Sequence, residues 1–190
     1  MDHPETIDQI VAGIFSLYDQ YGDEDYIGEP VSQLEHMSQS AELAIGEGAD
    51  DEVVLAAFFH DFGHLCFQKN AGNTMAGYGV KRHEQIGADY LRDKGFPERV
   101  AKLVENHVQA KRYLTYKNPE YYHSLSEASK KTLEFQGGKM TPAEAEAFEK
   151  DPLFEMSIRL RHWDELAKET HVPIVDLDEI RSRARRVLSL

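Results

Sequence analysis

Apolar positions recurring every three to four residues constrain this chain most, because no run of alternating pattern competes with them. Ile7, Ile10, Val11, Ile14, Leu17 and Tyr18 follow those steps and mark one face of a first helix. A chain patterned this way throughout folds by packing helix on helix.

Punctuation between the periodic stretches sets the helix count. Residues 21–30 hold two glycines, a proline and four acids and read as a loop. Ser32-Gln33-Leu34-Glu35 has the form of a capping box, so a helix starts there and carries His36 in its first turns. Asp50 or Asp51 caps the next helix, an apolar run over 53–59 that ends in His60-Asp61, with Gly63 as the expected stop. Glycine-rich residues 71–79 form a loop, followed by a helix over about 83–94 that Gly95 terminates. Pro97 suits the first position of the following helix, which carries Val100, Leu103, Val104 and His107. Ser124 with Glu127 and Thr141 with Glu144 form further capping boxes, and Gly137-Gly138 closes the helix between them. Two last helices cover about 152–169 and 178–188. No repeat, low-complexity tract or composition break divides the chain, so the expectation is an all-α helical bundle, a single domain over 1–190.

Composition narrows the partners. With 190 residues, 41% hydrophobic and 29% charged, the chain has an ordinary globular balance. A formal net charge of −13 argues against nucleic acid and against anionic membrane surfaces. A small anionic substrate remains compatible if a few cations are concentrated in one pocket. No stretch approaches the roughly 20 apolar residues of a membrane span. Cys66 is the single cysteine and the N-terminus lacks a secretory pattern, so a cytoplasmic location is expected. Oligomeric state is not legible.

The chemistry concentrates in an ordered set of histidines and aspartates. His36, His60-Asp61, His83 and His107 recur once per expected helix, and Asp164 follows much later. Imidazole nitrogen and carboxylate oxygen suit borderline divalent metals, and a bundle can converge ligands from several helices on one centre. Adjacent His60 and Asp61 lie about 100° apart on a helix, so both reach one centre only where the helix is ending. His3, His123, His162 and His171 fall outside this pattern and read as surface or satisfied core residues.

The order His…His-Asp…His…His…Asp resembles the HD-domain superfamily in its six-ligand form. That resemblance implies two metals, with Asp61 bridging, His36, His60 and Asp164 on one ion, and His83 and His107 on the other. Two branches share this set: dinuclear phosphohydrolases and mixed-valent di-iron oxygenases. Neighbouring residues bear on the choice. Lys111 stands four residues after His107 and Arg161 three before Asp164, each on its ligand's helix face. Ser129 and Gln136 are two turns apart on one helix. Two cations and two neutral hydrogen-bonding groups suit a phosphate or phosphonate head. Lys130, Lys131, Arg181, Arg183 and Arg185 read instead as a solvated face.

Almost the whole chain resembles the organophosphonate-cleaving di-iron oxygenases of that superfamily. The matching segments include Asp25-Tyr26-Ile27-Gly28-Glu29, Gln33-Leu34-Glu35-His36, His60-Asp61-Phe62-Gly63-His64, Gly77-Tyr78-Gly79-Val80, Lys131-Thr132-Leu133-Glu134-Phe135-Gln136 and Trp163-Asp164-Glu165. The resemblance implies two iron ions in the mixed-valent Fe(II)/Fe(III) state, O2 as co-substrate and a small organophosphonate as substrate. It assigns Lys111, Ser129, Gln136 and Arg161 to the phosphonate and His64 to the substrate's surroundings. Tyr26 and Glu29 become a mobile lid, with Glu29 facing the substrate's amino end. The implied reaction converts (R)-1-hydroxy-2-(trimethylammonio)ethylphosphonate to glycine betaine and phosphate. The free-amine substrate, giving glycine, is the alternative. A dinuclear phosphohydrolase and a non-catalytic metal-binding module are the remaining readings.

Overall fold

A computed structural model describes residues 5–26, 28–66 and 74–190. Ten α-helices follow in order among them: α1 (Ile7–Tyr21), α2 (Gln33–Gly46), α3 (Asp51–Phe59), α4 (His83–Asp93), α5 (Glu98–Lys117), α6 (Pro119–Ser124), α7 (Glu127–Phe135), α8 (Pro142–Glu149), α9 (Phe154–Leu166) and α10 (Leu177–Leu188). A 3-10 turn, Phe62–His64, lies between α3 and α4. The described residues contain no strand, only two isolated bridges, Asp25 with Ser32 and Thr74 with Val80. The architecture is all-α, as the periodicity predicts. None of these helices is long and apolar enough to cross a membrane.

The central element is α3. Every residue from Val53 to Phe59 is fully buried, because α2, α5, α9 and α10 pack around it. A helix enclosed on all sides needs no polar face, which explains its uninterrupted apolar run. Tyr18 from α1 joins it, with its ring 4.8 Å from that of Phe58 and its hydroxyl donating to the Phe58 carbonyl. A smaller cluster of Ala110, Met140, Ala145 and Phe148 packs α8 against the far half of α5.

Local chemistry sets most boundaries as expected. Ser32 and Glu35 form the capping box of α2, Thr141 and Glu144 that of α8, and Asp50 caps α3. Five boundaries differ. Ser126, rather than Ser124, caps α7, and its hydroxyl accepts from the Ser129 N–H. Ser124 instead ends α6 by donating to the Tyr121 carbonyl. Pro97 occupies the cap of α5 rather than its first turn. Helix α9 starts at Phe154 and stops at Leu166, because Asp151 draws the Leu153 N–H into a turn and the Ala167 carbonyl is diverted to His36. Finally, α3 ends at Phe59, before Gly63, so Gly63 is not its stop. Residues 71–73 of the expected glycine-rich loop, Ile27 and His3 lie outside the described residues.

Candidate metal centre and the cavity beside it

The end of α3 brings His60 and Asp61 to one place. His60 keeps helical angles, φ −56° and ψ −37°, while Asp61 leaves them with φ −102° and ψ 9°. That change lets both neighbouring side chains face the same interior point. His36 reaches it from α2, His83 from the first residue of α4, His107 from α5 and Asp164 from α9. All six are buried.

Backbone carbonyls fix the four imidazoles. The Nδ1 atoms of His36, His60, His83 and His107 lie 2.8, 2.8, 3.3 and 2.6 Å from the carbonyl oxygens of Ala167, Ala57, Val80 and Val104. A carbonyl can only accept, so each Nδ1–H donates and each Nε2 turns a lone pair inward. Those Nε2 atoms pair off at 3.0 Å for His36 and His60 and at 3.2 Å for His83 and His107. Lone pairs facing each other so closely repel unless a cation sits between them. The carboxylates complete two triads, His36, His60 and Asp164 beside Asp61, His83 and His107, and the donor atoms of each lie within 4.8 Å of one another. Asp61 also spans both. Its Oδ2 is 3.5 and 3.4 Å from Nε2 of His36 and His60, and its Oδ1 is 3.1 and 3.4 Å from those of His83 and His107.

Asp164 carries the test of whether this donor set fits a metal. Its buried Oδ1 has no hydrogen-bond partner, although His36 Nε2 stands 3.2 Å away. The short distance counts as an ion pair only with a charged imidazole, and the contact lacks hydrogen-bond geometry. An orphaned carboxylate oxygen aimed at two imidazole lone pairs fits a bound cation. The residues present could therefore hold a metal in each triad. Burial opposes charge at His36, but the negative charges of Asp164 and Asp61 outweigh it and pull the imidazole up to about 9, the same attraction that would hold a cation in front of Nε2. Burial likewise opposes ionisation of Asp164, and Arg161 with the adjacent histidines holds its carboxyl well below the usual range.

A cavity opens beside the triads. Lys111, Ser129, Gln136 and Arg161 line it, as do Tyr26, Glu29 and His64, so the cavity gathers all seven residues expected around a substrate. Lys111 Nζ donates to Thr132 Oγ1 at 2.8 Å and to Gln136 Oε1 at 3.0 Å. Burial, reinforced by the positive charge of Arg161, pushes this lysine well below its ordinary range. Arg161 donates from Nε to the Tyr121 hydroxyl at 2.9 Å and pairs with both Asp164 and Glu165. Its Nη2 reaches toward Ser129 Oγ at 3.4 Å. Arg161 thus grips the outer oxygen of Asp164 as well as facing the cavity.

His64 accepts at Nδ1 from the Val80 N–H at 3.0 Å, so its proton resides on Nε2. Its ring stacks on that of His83 at 4.0 Å. Only glycine fits beside it at position 79, where φ is +116° and a Cβ would stand 2.6 Å from His64 Cε1. Tyr26 stacks its ring on His36 at 4.1 Å. Burial, with the charges of Asp61 and Asp164, raises its phenol well above the ordinary value. The turn that carries it closes through the Glu29 N–H to the Tyr26 carbonyl, 2.9 Å. Gly28 lets this turn lie against α7, because a Cβ there would meet Ala128 Cβ at 2.5 Å.

Spacing arguments missed five residues here: Gln33, Thr132, Tyr121, Glu165 and Lys168. Gln33, Thr132 and Glu165 lie within segments that carry the family resemblance and within a turn of a residue that was singled out, whereas Tyr121 and Lys168 had no such signal. Gln33 lines the cavity and its buried Oε1 has no partner. Outside the site, His123, His162 and His171 are exposed. Lys130 pairs with Glu127, Arg181 with Asp178, Arg183 with Asp51 and Arg185 with Asp8.

Bundle and triads together define a helical protein with two buried His/Asp triads that could hold metal, next to a cavity lined by Lys111 and Arg161. Comparison with known proteins makes the class specific. Residues 33–146 match the HD domain. An uncharacterised protein of Acanthamoeba polyphaga mimivirus is 45% identical over 185 residues, covering 97% of this chain and 84% of that protein. The glycine-betaine-forming 1-hydroxy-2-(trimethylamino)ethylphosphonate dioxygenase of Leisingera caerulea is 40% identical over 168 residues, 88% of this chain and 84% of that enzyme. The hydroxymethylphosphonate dioxygenase of Gimesia maris is 35% identical over 184 residues, 97% of this chain and 90% of that enzyme. The chain belongs to the HD-domain family, in the group whose named members are phosphonate dioxygenases.

Proposed function

We propose that this chain is an O2-dependent oxygenase that breaks the carbon–phosphorus bond of a 1-hydroxyphosphonate. Its substrate in this reading is (R)-1-hydroxy-2-(trimethylammonio)ethylphosphonate, and the products are glycine betaine and phosphate. One observation carries the proposal: a single cavity is lined both by Asp61, His83, His107 and Asp164 of the two buried triads and by the buried cations Lys111 and Arg161. The relative that is 40% identical is named for that substrate.

His36, His60 and Asp164 would hold one iron and His83 and His107 the other, and Asp61, which faces both triads, would serve both. Mixed-valent iron supplies the one-electron exchange with O2 when bound. Everything else falls to the chain. Lys111, Ser129, Gln136 and Arg161 bind the phosphonate oxygens, which sets the carbon bearing the hydroxyl against the metal pair. His64 donates from Nε2 to a substrate oxygen. Tyr26 and Glu29 cover the cavity and exclude water, and Glu29 faces the cationic end of the substrate. No side chain acts as a nucleophile.

Phosphate release from the hydroxyphosphonate, followed by phosphorus NMR with and without O2, tests the reaction class. Turnover must stop under argon and consume O2 in proportion to phosphate. Undiminished phosphate release without O2 replaces the oxygenase with a hydrolase that uses a metal-bound hydroxide. Comparing kcat/KM for the trimethylated and free-amine substrates tests the finer assignment, and a large preference for the free amine overturns it.

A further inference from the structure

The residue meant to meet a cationic substrate is already engaged. Glu29 Oε1 accepts from Lys168 Nζ at 2.9 Å and from Ser126 Oγ at 2.5 Å. The carboxylate and the ammonium are 9% and 20% exposed, so water screens the pair only in part. Lys168 also lines the cavity, close enough to Lys111 for its charge to add to the burial that pushes Lys111 down.

The root of Lys168 is firmly placed. Next to it the Ala167 carbonyl holds His36, and Gln39 makes two bonds to the backbone of Glu169, 2.8 Å to its carbonyl and 3.1 Å from its N–H. The segment is therefore pinned to α2 on both sides of Lys168. Ser126 in turn caps α7, the helix that presents Ser129 to the cavity. A carboxylate in contact with one ammonium offers less to a second, and two like charges placed on one oxygen repel.

From this we propose that Lys168 is a specificity-determining residue, which competes with a cationic substrate tail for Glu29 and so sets how strongly the cavity prefers cationic phosphonates over uncharged-tail ones. It acts through Glu29 and touches no reacting atom, which makes it a positioning residue. The inference rests on the phosphonate reading above and adds a selectivity mechanism to it. A cation-tailed substrate must draw Glu29 away from Lys168, whereas hydroxymethylphosphonate leaves the pair intact.

The experiment compares two phosphonates, 1-hydroxy-2-(trimethylammonio)ethylphosphonate and hydroxymethylphosphonate, on the iron-loaded full chain. Both kcat/KM in air and Kd under argon are measured for wild type, Lys168→Met, Lys168→Arg and Glu29→Gln. Lys168→Met is expected to raise the cationic-to-uncharged ratio by about tenfold, mainly through KM and Kd. Lys168→Arg keeps the ratio near wild type, and Glu29→Gln collapses it. Damage to the fold alone lowers both substrates together and leaves the ratio where it was. An unchanged ratio in Lys168→Met, in binding and in turnover, overturns the inference while the functional reading stands. Wild-type protein that neither binds nor turns over either phosphonate overturns the functional reading, and this inference with it.

Discussion

Gly63 lies against the backbone carbonyl of His83, so close that a Cβ on it would stand 1.9 Å from that oxygen and 2.7 Å from its carbon. The turn after α3 thereby seats on the start of α4, and a contact with no chemistry of its own sets where His83 points. Gly63→Ala must push backbone from backbone. Overpacking of this kind typically costs ~1–3 kcal/mol, and in a chain of this size each kcal/mol lowers Tm by about 2–4 °C. The displaced group is His83, so metal bound through His83 and His107 is lost before the other. Calorimetry and metal analysis check both parts. Wild-type Tm with full metal content in this variant contradicts the seating.

Among the described residues, Asp61 is the one side chain that faces both triads, through separate oxygens. Replacing it with alanine removes a donor from each at once and leaves four imidazole lone pairs opposed. Asp61→Ala is expected to bind less than one metal per chain, while Asp164→Ala retains the ion held with His83 and His107. Metal stoichiometry after dialysis, read beside helical circular dichroism, decides it. Two tightly held ions in Asp61→Ala contradict the bridging role.

Acid should loosen the bundle through a pair remote from the site. Asp51, in the first turn of α3, accepts from Arg183 at 2.5 Å and from Arg186 at 2.7 Å, tying α3 to α10. The hydrogen bond and charge of Arg186, with help from Arg183, hold the Asp51 carboxyl below its ordinary value, against the cost of its partial burial. A depressed folded-state value means that this stability is fully present above the unfolded-state value, about 3.9, and is lost as pH falls through the folded one. The urea midpoint of the wild type therefore drops below about pH 4, and Asp51→Asn flattens that drop while lowering the midpoint at neutral pH. Parallel curves for the two proteins sink the linkage.

How much of this was legible in sequence follows from the range of each interaction. His60-Asp61 could be read because the apolar run before it, the need to end a helix there and the chemistry of both residues are all local. Capping at Ser32, Asp50 and Thr141 is local too, and the structure matches it. Spacing favours Ser124, three residues before Glu127, and only the bond from the Ser129 N–H shows Ser126 to be the cap. Gly63 looked like a helix stop because a glycine's reason is a neighbour in space, here 20 residues further along the chain. Lys168 carried no pattern at all. Its partner Glu29 is 139 residues away, and its position depends on α9 ending early so that Ala167 can hold His36.

Among the described residues, Lys111 in the cavity has no carboxylate hydrogen-bonded to its ammonium, only Thr132 and Gln136. Burial pushes its charge off at a pH well under the ordinary lysine value, with Arg161 adding to the effect. A phosphonate dianion reverses this, since an opposite charge in a low-dielectric site favours the ammonium. The lysine's value is then lower in the free protein than in the complex. Affinity is fully present below the free-protein value and declines as pH rises through it, so the loss begins well below pH 10.5. Titrating a phosphonate into the metal-loaded protein in buffers of different ionisation enthalpy should reveal proton uptake on the alkaline side. Lys111→Met removes that uptake and weakens binding by about a hundredfold or more, a charge-assisted bond being worth ~1.5–3 kcal/mol and its loss compounded by lost charge balance. The same variant should not lose stability, because an apolar side chain of similar length replaces a buried cation that lacks an acidic partner. A clear fall in its Tm, or phosphonate affinity that does not vary with pH in the wild type, is incompatible with this account of Lys111.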